Sequence, residues 1–227
     1  MRKLITILTL LTIHMTAFGQ QEIGLKVNGG LSYLSTKVLS TETKVDKIYL
    51  APSGQGGLFY NRCFRDKFLL GAELLYLQIE GKQYVEIPAS GYNPTEVMVT
   101  NNIWRHISYL GIPIYIGYKL KKFNFNLGFQ IGITLMSSGR VKGQAPGIPS
   151  WDNKSDNLGV DNYDYGARAG INFKLSDKFS IETNYYYGIN NILKDQTGNL
   201  KWNVQQMTIG LRYSLFPIGG QKNETEK

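Results

Sequence analysis

Cysteine occurs once in the 227 residues and histidine twice, and no stretch supplies the roughly 18 consecutive apolar residues that a membrane-crossing helix needs. A single thiol excludes an intrachain disulfide framework. Cys63 has no evident electropositive setting to activate it and reads as incidental. His14 falls in the first twenty residues, so His106 is the one histidine beyond them, too few for a histidine metal site. HExxH, paired CxxC and phosphate-cradling glycine loops are also missing, and the expectation is no metal and no cofactor. Helical periodicity is almost absent, so any bilayer crossing must be made by strands.

The first twenty residues form an object of their own. Arg2 and Lys3 make a basic start, Leu4 to Thr12 a short apolar run, and Ala17-Phe18-Gly19 a small-x-small cleavage site, the pattern of an export signal. The expected division is a signal peptide over 1–20, a barrel domain over 21–216 and a polar tail over 217–227. Formal charge is +8, and loss of Arg2 and Lys3 leaves +6. Basic residues are scattered singly along the chain, with no clustered module for nucleic acid. In an exported protein such a balance suits anionic lipid headgroups.

Beyond residue 23 the dominant signal has period two. Phe123, Phe125, Leu127, Phe129, Ile131, Ile133 and Leu135 are apolar, and the positions between them are Asn, Gly, Gln or Thr. Tyr163 to Leu175, Phe179 to Ile189 and Gln205 to Leu215 repeat this alternation. Leu25 to Tyr33 and Gly56 to Asn61 carry it more weakly. Two further strands, Phe68 to Gln78 and Arg105 to Tyr118, are apolar on both faces for several residues. Their outer faces are read as Leu70, Ala72, Leu74, Tyr76 and Leu110, Ile112, Ile114, Ile116, Tyr118.

Connection lengths decide the architecture. Arg65-Asp66-Lys67, Lys121-Lys122 and Ser176-Asp177-Lys178 are tight polar turns. Between them lie long links at Ser35 to Pro52, Glu80 to Trp104, Ser137 to Asn162 and Asn191 to Trp202. Short turns at one end, long loops at the other and an even strand number describe an outer-membrane barrel. The expected fold is therefore all-β: one eight-stranded antiparallel up-and-down transmembrane barrel with four long outer loops. A soluble β-barrel would turn the oily face inward and leave Gly57, Gly71, Gly128, Gly132, Gly166, Gly170 and Gly210 on a solvated surface that gains nothing from glycine. A narrow lumen does gain from them. Fifteen tyrosines, many at strand ends, suit interfacial girdles.

Several segments resemble the outer-membrane β-barrel proteins of the Bacteroidetes, the PorT-like or porin-family group. They are Gly57-Leu58-Phe59-Tyr60 with Phe68 and Glu73-Leu74-Leu75-Tyr76, Tyr109-Leu110-Gly111-Ile112-Pro113-Ile114, Tyr187-Gly188-Ile189-Asn190-Asn191-Ile192, and Leu211-Arg212-Tyr213. Gly111 departs from the group's pattern, which usually has Glu before Ile-Pro, and the chain continues past Phe216. The resemblance implies a fold, a cell-envelope location and the outer membrane, and no reaction.

Inward positions hold Lys26, Glu73, Asp164, Arg168, Lys174, Glu182 and Arg212. Buried charges must be paired, so these are expected to interlock and plug the lumen, with a narrow solute or ion path as the alternative. Tyr92, Trp104, Trp151, Asp152, Asp156 and Asp161 are the loop candidates for binding an envelope protein or glycan; the acidic ones lack calcium-loop spacing. One catalytic pattern remains. His106-Ile107-Ser108 puts base and nucleophile on one strand face, read as lipid-facing, and resembles the His-x-Ser of outer-membrane lipid A deacylases, with Glu80 the only nearby orienting acid. His-x-Ser pairs are mostly accidental, so the expectation is a non-enzymatic, monomeric outer-membrane protein contacting lipid and no nucleic acid.

Overall fold

The computed structural model describes residues 20–38, 44–88, 98–194 and 200–216. Residues 1–19 of the expected signal peptide, the polar tail and Tyr92 lie outside these residues. Among the described residues ten strands run in chain order: β1 Gln20–Val38, β2 Lys44–Tyr49, β3 Ala51–Phe64, β4 Phe68–Pro88, β5 Met98–Leu120, β6 Phe123–Ala145, β7 Ile148–Ser155, β8 Tyr163–Lys174, β9 Phe179–Gly188 and β10 Leu200–Phe216. Eight of them close a ring in the order β3-β1-β10-β9-β8-β6-β5-β4, with β4 pairing both β3 and β5; β2 adds to β4 and β7 to β6 outside the ring. All pairings are antiparallel, and closure leaves the eight ring strands no free edge within the barrel.

The alternation decides which side faces out. Phe123, Phe125, Leu127 and Phe129 are 43–62% exposed, whereas Arg168 on β8 is 3% exposed. The oily face therefore points away from the axis and the charged one along it, as hydrocarbon outside and a crowded lumen require. Aromatic pairs mark the end with the tight turns: Phe68 with Tyr118, Phe123 with Phe173, and Phe179 with Tyr213. At that end the backbone turns left-handed at Arg65 and Asp66 (φ 49° and 58°), the middle residues of a tight turn closed by the Lys67 amide donating to the Phe64 carbonyl at 3.2 Å. Far along the wall, at the opposite rim, Gln205 is a polar residue at an outward position. It is covered by Tyr33, whose hydroxyl donates to it, and by Tyr185, whose hydroxyl donates at 2.7 Å.

The long links differ from the expectation. Much of the stretch expected as loops is sheet: β4 and β5 continue as a ladder from Ile79↔Ile107 to Pro88↔Met98, β2 lies along β4, and β6 folds back through β7. The reason is that inward-facing apolar or neutral side chains continue beyond the membrane band. Ile79, Gln83, Val85 and Ala145 are buried there, and such a pattern sustains pairing. The result is a collar of sheet standing on the barrel. Trp104, Trp151 and Asp152 are consequently strand residues.

Candidate functional site

Toward the tight-turn end, charge fills the lumen. Glu73 of β4 and Glu182 of β9 face three cations, Lys26 of β1, Arg168 of β8 and Arg212 of β10, each nearly devoid of solvent contact. Lys26 Nζ lies 3.0 Å from Glu73 Oε2 and also contacts Glu182. Arg168 reaches Glu73 at 3.1 Å, and Arg212 reaches Glu182 at 3.2 Å and Glu73 at 3.6 Å. Neutral groups complete the knot. Tyr115 donates its hydroxyl to Asn61 (2.7 Å), Asn28 donates to Glu182 (2.7 Å), Arg168 donates to Gln130 (3.1 Å), and the Arg212 guanidinium stacks 3.8 Å over the Phe59 ring. Gly71 and Gly128 give Tyr115 its room: a Cβ at either would stand within about 2.5 Å of that side chain.

Two of the expected lumen charges stand apart from this knot. Lys174 sits at the end of β8, 38% exposed, and pairs with Asp177 of the adjoining turn at 2.9 Å. Its inward phase is right, but its height leaves it at the rim. Asp164, at the opposite end of β8, is buried without a cation and accepts the Tyr186 hydroxyl at 2.9 Å. Four residues separate it from Arg168, enough along a strand to take it out of the knot.

Toward the collar the lumen is mainly apolar. Leu34, Leu75, Leu77, Ile79, Ile107, Tyr109, Tyr186, Ile192, Trp202 and Val204 form one buried cluster. It closes with Arg105 stacked 4.0 Å over Trp202 and donating to Gln83 at 2.8 Å. The sequence reading missed this layer. Its trace was the apolar character of both faces of β4 and β5.

On the collar, Trp104 faces outward with Lys82 5.7 Å over its ring. Trp151 covers Gly143, its partner across the β6–β7 pairing. Asp152 accepts Arg140 Nε at 2.7 Å, and this hydrogen bond holds its carboxyl below the usual aspartate range. Asp161 Oδ1 accepts the Asn162 amide at 2.7 Å, and Asp156 is exposed past the end of β7. The three acids do not converge, and no cluster of potential metal ligands occurs among the described residues. A groove of about 590 Å³ crosses the outward face of the collar, with Glu80, Lys82, Trp104, His106, Arg140 and Lys154 in its lining. His106 and Ser108 are on the outward wall of β5, with Glu80 opposite His106.

Comparison with known proteins places this architecture. The family model described as "Outer membrane protein beta-barrel domain" matches residues 18–194. The chain belongs to that family. Membership assigns it to the outer membrane, with the tight turns on the periplasmic side and the collar outside. No curated protein sequence matches the chain. Among solved structures it is similar to Ail, the attachment invasion locus protein of Yersinia pestis, at 13% identity over 86% of this chain and 99% of that one, with TM-score 0.37. It is also similar to OprG of Pseudomonas aeruginosa (13%, 87% and 96%, TM-score 0.39) and to the outer membrane protease OmpT of Escherichia coli (11%, 88% and 99%, TM-score 0.43).

Proposed function

We propose that this protein is a closed outer-membrane barrel that carries no solute along its axis and works through its collar and its lipid-facing wall. The observation that supports this reading is the double filling of the lumen, an ionic knot below and an apolar layer above. An ion entering from the periplasm meets Arg168, Arg212 and Lys26 already engaged with Glu73 and Glu182, and breaking those pairs leaves charges buried without partners. Beyond them it meets a closely packed layer of mainly apolar side chains, among them Leu34, Leu75, Leu77, Ile79 and Val204.

The collar suits a partner with anionic and flat apolar groups, such as a phosphorylated glycan or lipid headgroup. Lys82 and Trp104 form a cation and aromatic pair there, and Lys154 stands across the groove. Service to a secretion machine, implied by the PorT-like resemblance, is one form that binding to an envelope partner would take. Reconstitution into planar bilayers tests the closed-barrel reading. Folded, heat-modifiable protein is expected to give no single-channel steps, and reproducible ohmic steps would favour the narrow-pore alternative.

A further inference from the structure

We propose that Ser108, His106 and Glu80 form a hydrolytic site on the lipid-facing wall, acting on an acyl ester of a phosphorylated membrane lipid. The site stands whether or not the lumen conducts, because it lies on the opposite face of the wall.

The three side chains form an ordered relay. Ser108 Oγ is 3.3 Å from His106 Nε2, and His106 Nδ1 is 3.7 Å from Glu80 Oε1. Period two on β5 gives His106 and Ser108 one face, and the β4–β5 register sets Glu80 directly opposite His106. An acid at Nδ1 favours the tautomer whose Nε2 is free to accept a proton from serine, the division of labour in a nucleophile, base and orienting-acid triad. The Glu80 contact is longer than a hydrogen bond, as is common in such sites before substrate binds. A fourth group is in place: the Tyr76 hydroxyl donates to Ser108 Oγ at 3.0 Å. Ser108 is 1% exposed under this cover, whereas Tyr76 itself is 47% exposed and has room to swing. Handing its hydrogen bond from Oγ to an arriving carbonyl, Tyr76 becomes the donor for the oxyanion.

Height on the wall identifies the substrate class. Outward positions on β4 run Phe68, Leu70, Ala72, Leu74, Tyr76 and then turn polar at Gln78, Glu80 and Lys82. Phe68 to Tyr76 spans about 26 Å of strand, and strand tilt reduces that to about 20 Å of height, close to the depth of a barrel's apolar band. Ser108 is thus at the upper edge of hydrocarbon, the level of lipid ester carbonyls. Below it on β5 is Leu110, and across on β6 is Met136, both apolar. Above it the groove offers Lys82 and Lys154, suited to a phosphate. A bulge in β6 falls opposite the Ser108–Tyr109 step, a distortion often found beside active sites because it re-aims side chains.

In the reaction, Ser108 Oγ bonds to the ester carbonyl carbon as its proton passes to His106 Nε2. The bond from that carbon to the lipid alkoxy oxygen then breaks, and the imidazolium protonates the leaving alcohol. Water, deprotonated by His106, attacks the acyl-serine, releasing a free fatty acid and restoring Ser108. No redox partner is needed.

The test uses full-length protein folded in detergent. One arm supplies phosphatidylglycerol micelles and the other the phosphorylated saccharolipid of a bacterial outer leaflet, with released fatty acid read by mass spectrometry. Release from either arm supports the site and identifies its lipid source. Ser108→Ala is expected to lower the rate by about 10³-fold or more. Glu80→Gln is expected to lower kcat with little change in KM, and Glu80→Asp to restore part of it, marking Glu80 as a positioning residue. Lys82→Gln is expected to raise KM for the phosphorylated lipid. A fluorophosphonate probe should label Ser108 in the folded wild type and not in His106→Ala. Heat-modifiable wild-type protein that releases no fatty acid from either lipid and takes up no probe overturns the proposal.

Discussion

The periplasmic and outer halves of the lumen solve one packing problem in two ways. In the lower half five charged side chains hold one another in fixed directions, and each depends on the rest. In the upper half Leu75, Leu77, Ile79, Ile107 and Val204 fill similar space with non-directional contacts. The difference teaches where the structure is brittle. Removing one carboxylate from a knot of three cations strands charge in a dry interior, whereas removing methyl groups leaves only a void.

Glu73→Ala should therefore be the most damaging single change. It leaves Lys26, Arg168 and Arg212 facing Glu182 alone, at a cost of about 3–5 kcal/mol, measured by urea unfolding in lipid vesicles with gel migration as readout. The comparison is sharpened by Lys26→Met combined with Glu182→Leu. Two charged groups are lost, but one of each sign, and the pair should cost less than Glu73→Ala alone. Leu77→Ala in the apolar layer should cost about 2–4 kcal/mol, and Ile107→Val about 1 kcal/mol. Equal losses from Glu73→Ala and from the Lys26→Met, Glu182→Leu pair would break the distinction between the layers.

The smallest effect belongs to the collar and to pH. Asp152 has a carboxyl held below its ordinary range by Arg140, so its contribution is present above the unfolded-state value and is lost as pH falls through the folded one. Acid should loosen the β6–β7 pairing while the barrel stays closed. Amide exchange at Val141 and Asn153 would report it, and Asp152→Asn should exchange faster already at neutral pH.

Much of this was legible in the residues themselves. Phe123 to Leu135 and Tyr163 to Leu175 alternate so strictly that strand, phase and outward direction follow from them, and in the structure the outward positions are the exposed ones. The lumen acids and bases followed from the same phase. Phase, however, does not give height, which is why Lys174 emerged at the rim beside Asp177 and Asp164 beside Tyr186. The apolar layer was hidden because Leu75, Leu77, Ile107 and Tyr109 made β4 and β5 oily on both faces, a pattern that records burial without saying against what. The collar was hidden because Gln83 and Arg105 are buried through a pairing that their polarity did not advertise. Period two already put His106 and Ser108 on one face with Glu80 as the nearby acid, and the β4–β5 register adds that Glu80 stands directly opposite His106.

The central claim is that the oily stripe meets lipid while the axis is filled. Its most direct test is tryptophan quenching by acyl-chain-brominated lipid. Two variants with Trp104 and Trp151 changed to Phe are compared: one keeps only Trp202, in the lumen, and the other carries Trp202→Phe with Leu127→Trp, on the outer wall. The account predicts strong quenching at position 127 and little at Trp202; quenching of Trp202 with position 127 protected would contradict it.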